Sequence, residues 1–195
     1  NKFNLVAKTF IFFMIIILFS VCFWSEHLII FFSSKEYLEA KILIFPLSLA
    51  YIIYGLGNII NIGIKLAKRS DLNLFSNTIF FLSTIFFFYF FISKNTFIGI
   101  AWSIVFGQII LVILEFYFAQ KVFSMKWEFL KSLFITILLL ILFYFLIEYN
   151  LNIANKFLIY LVLNFSIIAI FYFIIIDERD RKKISKFYKI FIREF

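Results

Sequence analysis

The chain has 195 residues, 65% hydrophobic and 15% charged, with a formal net charge of +8 and a mean hydropathy of +1.06. A soluble domain carries roughly 45–50% apolar and about 25% charged residues, so this composition excludes a soluble globular protein and points to an integral membrane protein. In such a chain the positions of the basic residues matter more than their sum, and the positive charge does not imply a nucleic-acid partner.

Six apolar runs can each span a bilayer, which takes about 20 residues of helix. They cover residues 8–31, 41–66, 74–92, 97–119, 129–147 and 157–176. The runs are continuous rather than alternating segments of about ten residues, which excludes an outer-membrane barrel. The expected fold is an all-α, polytopic transmembrane helical bundle over 1–176, followed by a basic tail over 177–195. Ile184, Phe187, Tyr188 and Phe191 recur in that tail at helical spacing, which suits either an interfacial helix or a solvated end. The 33 phenylalanines are read as lipid-facing filler from an AT-rich coding sequence, not as a ligand box.

The loops set an orientation. Lys2, Lys8, Lys65, Lys68, Arg69, Lys121, Lys126, Lys131 and the seven basic residues of the tail fall on one side, fifteen in all; Lys35, Lys41, Lys94 and Lys156 fall on the other. The positive-inside rule places the richer side, and both ends of the chain, in the cytoplasm. Every loop is short, so any function must reside in the spans.

The second run is the most distinctive. It holds Pro46, the only proline, and three of the five glycines, Gly55, Gly57 and Gly63. Tyr54, Asn58, Asn61, Lys65 and Lys68 follow at steps of four, three, four and three, which is one stripe on a helix. Polar groups facing hydrocarbon are costly, so the stripe is expected to face protein or water, deepening toward a cavity open to the cytoplasm. Pro46 costs little if it falls in the first helical turn; a hinge is the alternative. In the third run Asn73, Asn77 and Thr84 share a face. In the fourth, Ala101, Gln108 and Glu115 recur every seven residues, with Gly99, Ser103 and Gly107 nearby, a pattern suited to close helix packing. Runs two to four therefore read as packed helices, and runs five and six as lipid-facing ones.

The candidate cavity-lining residues are Tyr54, Asn58, Asn61, Lys65, Asn77, Gln108 and Glu115. Each has a structural alternative. Asn58, Asn61 and Gln108 can serve as interhelical hydrogen bonders, and Lys65 can snorkel. Glu115 is expected to pair with Lys121 or reach the headgroups rather than hold a proton or sodium ion. No catalytic constellation, phosphate loop or cofactor motif is visible, so an enzyme is not expected. His27 has no partner at metal-ligand spacing, and the single Cys22 allows no internal disulfide.

The stretch YLEAKILIFPLSLAYIIYGLGNIINIGIKLAKRSDL, from Tyr37, resembles a segment of the polysaccharide-biosynthesis flippases, which belong to the multidrug/oligosaccharidyl-lipid/polysaccharide exporter superfamily. The resemblance rests on Tyr37 and Ala40, on Tyr54-Gly55-Leu56, and on Ile62-Gly63 through Leu66-Ala67-Lys68-Arg69-Ser70. It continues through Ile98-Gly99 and Ala101 and the loop from Phe116 to Lys131, covering roughly residues 18–131. The chain departs from the family pattern at Ser93, where a proline is usual, and at Thr96, Phe97 and Ile100; Tyr117 is one place out of register.

The resemblance implies the C-terminal part of the second lobe of a two-lobed, alternating-access transporter in the bacterial inner membrane. The upstream part of the same protein and the lipid bilayer would be its partners. A polyprenyl-pyrophosphate-linked oligosaccharide would be its substrate, with no cofactor. The start at Asn1 is consistent with a fragment. The rival readings are a multidrug exporter of the same superfamily and a polysaccharide polymerase or ligase; the latter is disfavoured by the short outer loops.

Overall fold

The computed structural model of the protein describes residues 2–92, 97–123 and 153–171. Among these residues all regular secondary structure is helical. In chain order the helices are α1 (Lys2–Phe23), α2 (Ser25–Phe32), a 3-10 segment (Lys35–Ala40), α3 (Lys41–Ile60), α4 (Ile62–Leu66), α5 (Ser70–Ile92), α6 (Phe97–Val122) and α7 (Ile153–Ile170). Four helical stretches are long and apolar enough to cross a membrane: Phe3–Phe23, Lys35–Leu66, Ser70–Ile92 and Phe97–Val122. At 1.5 Å per residue the 23 residues of α5 reach about 35 Å, enough for a hydrocarbon core of about 30 Å. The protein is therefore an all-α membrane protein. The expected span at 129–147 and the basic tail at 177–195 lie outside the described residues.

The chain divides into two compact units, Asn1–Ile16 with Trp127–Phe195, and Ile17–Lys126, so the division falls inside α1. In the first unit the rings of Phe12 and Phe171 stack with centroids 4.0 Å apart, joining α1 to the end of α7. Ala7, Ile11 and Ile15, spaced four apart, form the buried stripe of α1, with Asn4 and Lys8 buried beside them. On α7, Asn164 donates from Nδ2 to the Tyr160 carbonyl at 2.9 Å.

The second unit is built around α6. Its surface divides into three faces. Gly107 meets Phe80 and Thr84 of α5, while Val112 and Glu115 meet Gly57 of α3. Ile109, Ile113 and Tyr117 recur at steps of four and remain exposed, the face left for lipid. Lipid tails are as apolar as leucine, so burial alone does not hold such helices together. Close approach at small residues and interhelical hydrogen bonds must do so.

Phe45, near the start of α3, lies against Trp102, near the start of α6, at 6.4 Å between centroids. Asn61, at the end of α3, bonds Glu115, in the last two turns of α6. The two helices therefore run parallel, and α5 runs antiparallel to both. Phe87 and Phe91 from the far half of α5 pack on Phe106 at 5.2 and 5.8 Å. One end of the unit is thus an aromatic seam and the other a polar cluster.

Two expected spans are not single straight helices. The run 8–31 is interrupted at Trp24 (φ −88°, ψ 8°), although the bonds Trp24 N–H to Ser20 O (3.0 Å) and Leu28 N–H to Trp24 O (2.9 Å) carry the chain through. The run 41–66 is interrupted at Asn61 in the same way, with Asn61 N–H bonded to Gly57 O (2.8 Å) and Lys65 N–H to Asn61 O (3.1 Å). Both are single-residue interruptions bridged by helical backbone bonds. Pro46 corrects an expectation: α3 begins at Lys41, so the proline lies in the second turn, buried, and not in the first. Its missing N–H leaves the Ile42 carbonyl without a helical partner.

The end of α4 is a left-handed cap. Lys68 has φ 56°, its N–H reaches Lys65 O at 3.0 Å, and the Arg69 N–H reaches Ile64 O at 3.2 Å. This pair of bonds closes the last carbonyls of the helix. The position favours glycine, since a side chain there costs about 1 kcal/mol or more. Replacing Lys68 by Gly is therefore expected to stabilise the detergent-solubilised protein by about 0.5–1 kcal/mol. A melting temperature that stays unchanged or falls would contradict this account of the turn. Immediately after it, Arg69 forks onto Asp71 through Nε–Oδ1 (2.9 Å) and Nη2–Oδ2 (2.7 Å), placing a carboxylate in the first turn of α5.

Candidate functional site

The polar cluster joins three helices at the end of the unit that carries Lys65, Lys68 and Arg69. From α3, the Asn61 side chain donates from Nδ2 to Glu115 Oε1 of α6 at 2.5 Å and to Asn73 Oδ1 of α5 at 2.9 Å. Asn77, one turn further along α5, donates from its own Nδ2 to the Asn73 carbonyl at 2.8 Å and to Asn73 Oδ1 at 3.2 Å. Asn61 is 3% exposed and Glu115 4% exposed, so the bond between them is sealed from both water and lipid. Gly57 makes room for the carboxylate: a Cβ at that position would stand 2.8 Å from Glu115 Oε2 and 3.0 Å from Val112 Cγ2.

The local sequence explains the arrangement. Gly57 and Asn61 are four apart and share the face that α3 turns to α6. Asn73 sits in the first turn of α5, just after the capped turn at Lys68, and this brings its short amide back against the end of α3.

The residues singled out from the sequence part company here. Asn61 and Glu115 are brought together and Asn77 supports them from the exposed side of α5 through Asn73. Gln108 is buried on α6, and its Oε1 has no hydrogen-bond donor. Tyr54, Asn58 and Lys65 do not join the cluster. Tyr54 and Lys65 are exposed, and Asn58 bonds back to the Tyr54 carbonyl of its own helix at 3.3 Å. The stripe on α3 thus borders the α6 interface, and only Asn61 enters it. Glu115 corrects a second expectation. It neither reaches out to the headgroups nor takes Lys121 as its hydrogen-bond partner, because its side chain points across to α3, where Gly57 admits it.

Helix α5 packs against α6 along one face, through Phe80, Thr84, Phe87 and Phe91, and leaves Leu74, Phe75, Phe81, Leu82, Phe86, Tyr89 and Phe90 exposed. It is an edge helix of this unit. Two contributors were not among the candidate residues. Gly57 was visible only as one glycine among several, and Asn73 only as the start of a polar face. The signal that could have found them is the four-residue spacing of Gly57 to Asn61 and of Asn73 to Asn77.

At the other end of the unit Glu26 of α2 forms an exposed ion pair with Lys41 of α3. A small cleft of about 240 Å³ there is lined by Glu26, Leu38, Glu39, Lys41 and Ile42. None of the candidate residues borders it. Among the described residues no group of three His, Cys, Asp or Glu side chains is placed to hold a metal ion.

Apolar helices of spanning length with a carboxylate and amides buried between three of them define a polytopic helical membrane protein with an interhelical polar cluster. The chain matches no family model, no curated protein and no solved structure.

Proposed function

We propose that the chain is part of a transporter that moves lipid-linked oligosaccharide across the bacterial inner membrane for surface polysaccharide synthesis. The observation that carries the reading is the position of the polar cluster. It lies on the stretch whose sequence resembles the flippases, and it puts an ionisable side chain inside the membrane-spanning bundle. Ionisable groups there are costly and are retained for transport or proton handling more often than for anchoring. On this reading the end bearing Lys65, Lys68 and Arg69 faces the cytoplasm, as does each end of the chain. The sugar headgroup would pass through a wet path between the lobes while the polyprenyl chain stays in lipid, by alternating access. Exposed Tyr54 and Lys65 and half-buried Asn58, beside the α6 interface, are the residues available to line that path.

The reading is tested by replacing Asn58 and Lys65 each by Leu in the gene at its own locus and measuring surface polysaccharide together with the amount of protein in the membrane. Reduced polysaccharide at an unchanged membrane level is expected. Unchanged polysaccharide in both variants would make the stripe structural only. One observation favours a second reading: Glu115 is a buried carboxylate, the kind of group that a multidrug exporter uses toward cationic substrates. Increased sensitivity to lipophilic cations on deletion, with normal polysaccharide, would select it.

A further inference from the structure

The hydrogen-bond inventory of the cluster is unbalanced in a way that identifies a missing proton. Both N–H groups of the Asn61 amide are used, one on Glu115 Oε1 and one on Asn73 Oδ1. The same amide's Oδ1 is buried and has no donor. The neighbouring Asn73 Oδ1 is already an acceptor, from Asn61 and from Asn77. An ionised carboxylate has only acceptors to offer, so Glu115 in that form cannot serve Asn61 Oδ1. A neutral carboxyl group can. Its carbonyl oxygen would still accept from Asn61 Nδ2, and its O–H would supply the donor that Asn61 Oδ1 lacks. The second N–H of Asn61 keeps its bond to Asn73, and no buried polar atom of Asn61 is left over.

We propose that Glu115 is a proton-binding site and that its proton latches the end of α3 onto α6 through Asn61. The surroundings suit the neutral form. From α3 the neighbours are Gly57 and Asn61, and from α5 Asn73, none of which is charged. The cation that bears on the carboxyl is Lys65 of α4, one turn beyond Asn61 and exposed to solvent. Asp71 at the start of α5 is engaged by Arg69, and Lys121 of α6 lies in its last turn. Loss of the proton leaves Asn61 Oδ1 buried without a donor and places a charge between the helices. The latch then loosens, and α4 with its basic end is freed from α6. The inference concerns proton binding and helix packing alone and does not depend on what the protein transports.

Glutamine distinguishes this from a purely structural role. Its amide offers an acceptor oxygen and an NH2 group, one N–H of which can take the place of the acid's O–H, and it cannot ionise. The full chain in detergent is heated across a series from about pH 5 to about pH 9. Wild type is expected to lose about 2–4 °C of melting temperature as the pH rises, and Glu115→Gln to hold the wild-type low-pH value throughout. Infrared spectroscopy supplies a second readout. The carboxylic C=O band of a buried acid should be present in wild type, absent from Glu115→Gln, and shifted in frequency in Asn61→Leu. Parallel pH profiles of wild type and Glu115→Gln, or a carboxylic band unaffected by Asn61→Leu, would overturn the proposal.

Discussion

Asn61→Leu is expected to destabilise the protein by about 1–3 kcal/mol, the range for leaving a buried polar group without its partner. The amide gives its two N–H groups to two different helices, at 2.5 Å to Glu115 and 2.9 Å to Asn73. Leucine fills similar volume and suits an apolar helix, so the loss is not one of packing. It arises because Glu115 is left 4% exposed with its observed donor gone. The measurement is the melting temperature of the purified protein, read beside Asn58→Leu. Asn58 bonds only to its own helix at Tyr54, so its replacement should cost far less. Equal effects of the two substitutions would contradict the central place given to Asn61.

Gly107→Ala is expected to cost about 1–3 kcal/mol, as overpacking of a tight contact does. A Cβ at Gly107 would stand 2.1 Å from Thr84 Oγ1 and 3.1 Å from the Phe80 ring. The threonine is not free to give way without loss, since its hydroxyl donates to the Phe80 carbonyl at 2.8 Å and both side chains lie on the one face that α5 presents to α6. Thr84→Ala combined with Gly107→Ala should recover part of the stability, because it removes the nearer clash and leaves the Phe80 contact. Costs that simply add in the double variant would show that the two residues do not meet. The substitution matters beyond stability: α5 is held along a narrow strip, so a shift at Gly107 would also move Asn73 relative to Asn61.

The positions of the first four runs were legible because continuous apolar runs and their basic flanks follow directly from the bilayer's demands. The packing of the second, third and fourth runs was legible too, through glycines, small residues and amides that pure lipid contact would not select. Which residue of the stripe from Tyr54 to Lys65 meets a neighbouring helix is not written in its spacing. Helical periodicity gives the angle at which a residue leaves its helix but not which neighbour stands there. Asn61 lies at the edge of the buried face and Tyr54 and Asn58 just beyond it, a difference of a few tens of degrees. Glu115 was assigned to the headgroup region because of its distance from the end of its span; Gly57, on another helix, decides that it points inward instead. The position of Pro46 depended on where α3 begins, and the 3-10 segment before Lys41, which sets that start, has no apolar periodicity to announce it.

The transport reading is tested most directly by the distribution of lipid-linked oligosaccharide between the two leaflets of the inner membrane in cells with and without the intact gene. Cells lacking it are expected to accumulate the lipid-linked sugar on the cytoplasmic leaflet, and wild type, but not the Asn58→Leu/Lys65→Leu double variant, to restore its passage. An unchanged leaflet distribution in the deletion strain would contradict the account.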